Sequence, residues 1–239
     1  MNKALTIAKR EFNSLFFSPI AYVVLGLFTL GVGLIFFAGF DTGAPAEMQR
    51  TFGGVVWLLA FLAPAISMRL LSEELRSGTL DLLISAPISD GQVIFGKWLG
   101  AMGFVCVLLS PLLVLIVTID VFGNPEYGPI FTGLLGLLFV AGLYMAIGTF
   151  ASTASENQII AFVLAIFIIN VLTTVTQFVR EAAFVGEQTR GVIDYVNVFR
   201  QYEAFGKGVI DLSNFMYFAT VSALFLFLAV KLLESRRWR

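Results

Sequence analysis

The sequence has 239 residues, 58% of them hydrophobic and 13% charged, with a formal net charge of -1 and no histidine. A soluble domain carries about 25% charged residues, so this composition excludes one, and the lack of a basic surplus excludes nucleic-acid binding by phosphate neutralisation. A single cysteine, Cys106, excludes a disulfide within the chain and, without histidine, a multi-ligand Cys/His metal site; lying in an apolar run, it reads as a small buried hydrophobe.

Residues 2–17 place Leu5, Ala8, Phe12 and Leu15/Phe16 at helical spacing, with Lys9, Arg10 and Asn13 on another face. This pattern predicts a helix lying in the membrane interface; the plainer alternative is a basic orientation signal without fixed structure. Ser18-Pro19 breaks that helix before the first long apolar run.

A membrane-spanning helix needs about 20 mostly apolar residues, because an unpaired backbone group in hydrocarbon costs several kcal/mol. Six segments qualify: Ile20–Phe40, Phe52–Leu71, Trp98–Ile119, Ile130–Thr153, Gln158–Val179 and Ser213–Leu233. An Ala-x-Ala pattern at Ala44–Ala46 raises the possibility of a cleaved secretory signal, but the 21-residue first run exceeds the roughly 7–15 residues of a signal core. The first run is therefore read as a retained span.

The segment after the second span is the most informative. Leu75, Thr79, Leu82, Leu83 and Ala86 recur at helical spacing while Glu73, Glu74, Arg76, Ser77 and Asp81 are polar. That predicts a short surface helix ending before Pro87, whose ring disfavours helix in the preceding residue. Ser89 with Gln92 is a capping box opening the helix that becomes the third span. Gly91 to Lys97 fits most of a phosphate-cradling loop, but Trp98 stands where Ser or Thr must hold magnesium, and a membrane span follows. Gly91 and Gly96 therefore read as helix-packing positions, Lys97 as a positive-inside residue, and the chain as no ATPase.

Further along, Pro64 and Pro111 are expected to kink the second and third spans. Gly96, Gly100 and Gly103, and Gly133, Gly136, Gly142 and Gly148, are small positions suited to close packing. The short link at Ser155–Asn157 predicts an antiparallel hairpin of spans four and five. Residues 180–212 are too long for a turn; Val192, Tyr195, Val196, Phe199 and Tyr202 predict one or two short helices on or dipping into the outer leaflet.

No charged residue falls in the middle of a span; Arg69, Asp120 and Lys231 lie at ends. Ion-coupled carriers need a titratable group near the midplane, so energy for any transport comes from elsewhere. With the N-terminus inside, ten Lys and Arg face the cytoplasm and five the exterior, which favours both termini inside.

The whole chain resembles the permease subunits of ABC transporters of the ABC-2 exporter type. The resemblance rests on Glu73/Glu74, Gly78-Thr79-Leu80, Leu83, Pro87-Ile88 and Gly96-Lys97. Lys9-Arg10-Glu11-Phe12 with Ser18-Pro19-Ile20-Ala21-Tyr22, and Tyr202–Leu212 with the tail Leu233–Trp238, are similar to the gliding-motility permeases of the GldF type and to NosY-like permeases. The resemblance implies an all-α polytopic protein, residues 1–239 forming one transmembrane domain in a bacterial cytoplasmic membrane. It implies a dimer with a second copy or a paralogue, cytoplasmic ABC ATPase subunits that hold ATP and magnesium, and an external re-entrant element between spans five and six that serves as a lid or as a platform for an extracytoplasmic partner. A coupling helix between spans two and three would dock on the ATPase through Glu73, Glu74, Gly78, Thr79, Leu80 and Pro87. The function implied is ATP-driven export or mechanotransmission; a non-transporting scaffold or assembly factor is the alternative, and an intramembrane enzyme lacks its nucleophile–base pair.

Overall fold

The computed structural model describes residues 3–39, 48–79, 88–123, 125–181 and 186–236, and every regular element among them is helical. In chain order these are α1 (Lys3–Phe16), α2 (Pro19–Gly39), α3 (Gln49–Ser67), α4 (Ser72–Ser77), α5 (Asp90–Leu108), α6 (Ser110–Phe122), α7 (Tyr127–Ala154), α8 (Gln158–Asn170), a π-helical turn (Val171–Val175), α9 (Thr176–Glu181), α10 (Glu187–Val196), α11 (Val198–Gly206) and α12 (Leu212–Arg236). Six stretches are long and apolar enough to cross a membrane: Pro19–Gly39, Gln49–Ser77, Asp90–Phe122, Tyr127–Ala154, Gln158–Arg180 and Leu212–Arg236. Among the described residues the six-span architecture follows, with boundaries shifted by up to eight residues.

α7 is the axis of the bundle. It is apolar all round, which marks an enclosed helix rather than one facing lipid, and Leu137, Val140, Ala141, Leu143, Tyr144 and Met145 are fully buried. α3, α5, α8, α11 and α12 pack around it. Small residues set how close they come. A Cβ on Gly133 would sit 2.5 Å from the Phe52 ring, one on Gly136 2.7 Å from Phe205, and one on Gly148 1.8 Å from the Ser67 hydroxyl. The hairpin of α7 and α8 closes through Ser155–Asn157, and the Asn157 side chain caps α8 by accepting from the Ile159 amide at 2.9 Å. Outer faces of α2, α6, α8 and α12 carry exposed Leu30, Phe37, Val117, Phe167 and Phe227, the pattern of helices solvated by lipid tails.

The capping box at Ser89 and Gln92 is formed, each side chain bonding the other's amide. Beyond it the third span divides at Leu109, just before Pro111 at the start of α6, where proline has no amide to continue the helix. Pro64 interrupts α3 without ending it.

Three local readings are corrected. Cys106 is exposed on the outer face of α5 rather than buried. Gly91 meets nothing within 4 Å of an added Cβ and is no packing position, whereas at Gly96 and Gly100 that Cβ would press on the Ala4 and Ala8 carbonyls at 2.8 and 2.7 Å. The glycine stripe of α5 therefore receives α1, not another span. Finally, the helix expected from Leu75 onward stops at Ser77, because Gly78 takes a left-handed conformation, φ 69°, the usual glycine stop of a helix; residues 80–86 of that reading lie outside the described residues.

Candidate functional site

At the end of the bundle where α3 stops, α4 begins, α5 starts and α7 finishes, polar groups converge. α3 ends at Ser67 and the chain turns through 68–71, leaving amides and carbonyls outside any helix. In a low-dielectric setting those groups need partners. Ser152 of α7 supplies them: its hydroxyl accepts from the amides of Leu71 at 2.9 Å and Ser72 at 3.0 Å and donates to the Met68 carbonyl at 2.9 Å. One donor and two acceptor positions are thereby filled, the full capacity of a serine. Ser72 is fully buried and also donates to Met68. One turn earlier on α7, Gly148 leaves room for Ser67, whose hydroxyl bonds back to Ala63 at 2.8 Å. Gly148 and Ser152 thus clasp the root of α4.

α4 carries Glu73 and Glu74 in its first turn and Arg76 in its last, the order favoured by the helix dipole. Its two faces differ. Glu73, Arg76, Ser77, Gly78 and Thr79 are exposed, and the Ser77 and Thr79 hydroxyls are 2.8 Å apart. Arg69, behind this face, bonds the Ser18 hydroxyl and lies 3.6 Å from Glu73. Glu74 turns inward.

There it meets Lys97. This lysine of α5 is 2% exposed, and its ammonium lies 2.9 Å from Glu11 of α1, 3.0 Å from Glu74 and 2.6 Å from the Leu70 carbonyl. Burying a charge is tolerable only when paired and hydrogen-bonded, and here the ammonium donates to Glu11 and to the Leu70 carbonyl and is ion-paired with Glu74. Lys97 is thus a buried, ion-paired junction.

Of the six positions that the sequence singles out here, Glu73, Gly78 and Thr79 lie together on the exposed face and Glu74 beneath it; Leu80 and Pro87 lie outside the described residues. Sequence reading missed Glu11, Lys97 and Ser152. A signal existed for Glu11, which stands seven residues after buried Ala4 and four before buried Leu15, on the inward face of its helix. Lys97 likewise sits four residues after Val93 and four before Ala101, both buried.

A second polar joint lies at the opposite end. The expected helices in 180–212 are present as α10 and α11, separated at Asn197. α10 keeps Val192 and Tyr195 exposed, while α11 inserts beside α7 and α3 with Val198, Tyr202 and Phe205 buried. The Thr132 hydroxyl bonds the Phe205 carbonyl at 2.6 Å, and the Tyr217 hydroxyl bonds Val196 at 2.7 Å. Buried Asn197 accepts from the Arg200 amide at 3.0 Å and donates to the Thr173 carbonyl at 3.0 Å and the Thr176 hydroxyl at 2.7 Å. The π-helical turn Val171–Val175 disturbs the regular hydrogen-bond ladder of span five, and Asn197 fills the gap. Replacing Asn197 with Leu leaves these buried groups unpaired, so a loss of about 2–4 kcal/mol is expected, read as a lower melting temperature of the purified protein in detergent; an unchanged melt would mean the joint carries no load. On α11, Glu203 is held below the usual carboxylate range chiefly by the hydrogen bond from Lys207, with Arg200 adding to it.

Among the described residues no group of His, Cys, Asp and Glu could hold a metal ion. A family model described as ABC-2 family transporter protein matches residues 47–233. No curated protein matches the chain.

Proposed function

The chain belongs to the ABC-2 family of transporter proteins, and we propose that it works as the permease half of an ATP-driven exporter or mechanotransmission complex in which α4 is the contact for the ATPase. As a member of that family it is a multi-pass membrane component of an ABC transporter, without an ATPase domain of its own, and it partners an ABC ATPase. ATP and magnesium belong to that ATPase. The lysine and arginine balance supports placing both termini, and α4, in the cytoplasm of a bacterial inner membrane. A second copy or a paralogue completes the permease, and the nucleotide-driven change is a rearrangement of that pair. Similarity to the GldF and NosY-like permeases supports work done on an extracytoplasmic partner, met at α10 and α11.

One observation carries the assignment: α4 and the turn after it expose Glu73, Arg76, Ser77, Gly78 and Thr79 in a short row while the other face of α4 is bound into the bundle. Such a helix can accept a push and cannot absorb it. Exposed Glu73 and Arg76 offer charges for pairing with the ATPase surface, and Leu80 and Pro87 continue the same segment.

Gly78 provides the test, because its left-handed backbone costs an ordinary residue about 1–2 kcal/mol while the space around its Cβ is open. In nanodiscs with the cognate ATPase, Gly78→Val is expected to lower permease-dependent ATP hydrolysis about tenfold, with Gly78→Asn close to wild type because asparagine tolerates that conformation. Equal hydrolysis in all three proteins, with the complex still assembled, overturns the coupling assignment and favours a scaffold.

A further inference from the structure

Lys97 joins three segments that are distant in sequence. Glu11 on α1, Glu74 on α4 and the Leu70 carbonyl in the turn between α3 and α4 all converge on one ammonium. The side chains are secluded: 3% exposed for Lys97, 15% for Glu11 and 24% for Glu74. None of the three partners can leave without stripping a buried charge of a contact. The arrangement is also unbalanced, since two carboxylates share one cation and Glu74 Oε2 has no hydrogen-bond partner.

Along the contact between α1 and α5, the glycines of α5 receive Ile7, Glu11 and Phe12 of α1, and Phe16 meets Phe104 edge-on with ring centroids 5.3 Å apart. Gly96 and Gly100 lie against the Ala4 and Ala8 carbonyls, and Gly103 against the Phe12 ring. The glycine track lets the two helices approach closely, so the Glu11 carboxylate is brought within reach of Lys97. The Glu11–Lys97 pair adds a buried ion pair across that track.

We propose that Lys97 is a positioning residue that makes α1 and α4 move as one body, so that α1 is a working part of the transmission and not merely an anchor. The proposal rests on the reading of α4 as the ATPase contact. When the ATPase displaces α4, Glu74 pulls on Lys97. Lys97 cannot yield alone, because its stem is in α5 and its two hydrogen bonds hold the turn between α3 and α4 at Leu70 and Glu11 of α1. The displacement therefore reaches α1 along with the bundle.

Amide hydrogen exchange of the intact permease–ATPase complex in nanodiscs, with and without ATP and magnesium, tests this. In the wild-type chain, ATP should change exchange in α4 and in α1 together. In Glu11→Leu, Lys97 keeps Glu74 in a balanced one-to-one pair, so the variant stays assembled; the α4 response should persist and the α1 response should be lost. Glu11→Gln keeps an acceptor without charge and should give an intermediate α1 response, and it carries the comparison if the leucine variant fails to fold. A purely structural Lys97 predicts the same α1 response in every variant that folds, and that result overturns the proposal. An α1 that stays silent in the wild type while α4 responds overturns it too. A silent α4 in the wild type instead removes the reading of α4 on which the proposal stands, and the proposal with it.

Discussion

Gly148→Ala is expected to cost the fold heavily, because an added methyl there makes the shortest contact found at any glycine among the described residues. The new Cβ would lie 1.8 Å from the Ser67 hydroxyl and 2.5 Å from its Cβ. A rotamer change can move the first of these atoms but not the second, and Ser67 is fully buried. α3 and α7 must therefore separate at this level. Overpacking of this kind costs about 1–3 kcal/mol and occasionally more. Separation also strains the next turn, where Ser152 holds the amides of Leu71 and Ser72; each such bond within a membrane bundle is worth about 0.6 kcal/mol. A total near 4 kcal/mol is expected, seen as poor membrane accumulation and a lowered melting temperature in detergent. Ser67→Gly removes both obstructing atoms and leaves the Ser67 Cα at 3.9 Å, so the double variant should recover most of the loss despite the roughly 1 kcal/mol that glycine costs a helix. A Gly148→Ala protein that melts with the wild type, or a double variant no better than the single one, would show that the crossing is not set here.

The spans were legible because a length near 20 apolar residues has few other meanings. Orientation about each helix axis was not. In lipid the outward face is as apolar as the inward one, so nothing in the run around Cys106 told that it faces out, and nothing distinguished open Gly91 from Gly96, which α1 covers. Periodicity also failed at Gly78, since the leucine spacing over 75–86 is blind to one residue with a left-handed backbone. The π-helical turn in span five likewise has no hydrophobic period of its own; its trace is Thr173 and Thr176, whose partner Asn197 lies beyond the span. Of the candidate site, the exposed row was readable from the motif at Glu73 to Thr79, while the inward half was hidden because Glu11, Lys97 and Ser152 are far apart in the chain and only the fold makes them neighbours of α4.

Lys97 separates the two roles that a buried charge can have, and Lys97→Met gives the second large effect. Methionine matches the length of the lysine stem but removes the ammonium from between Glu11 and Glu74. Two carboxylates would then face one another across an apolar contact, and the Leu70 carbonyl would lose its partner. Breaking a buried pair from one side costs about 3–5 kcal/mol, so this variant is expected to accumulate poorly and to melt well below the wild type. The carboxylates, more than the missing lysine, are the cause. If so, adding Glu11→Gln and Glu74→Gln should restore most of the stability, because a neutral set of similar volume costs little relative to a buried ion pair. Failure of that triple variant to recover would mean that the hydrogen bonds of Lys97, and not the balance of charge, hold α1 and α4 to the bundle. Recovery would mean that the fold tolerates a neutral junction well, which leaves the charged one to be explained by what it connects.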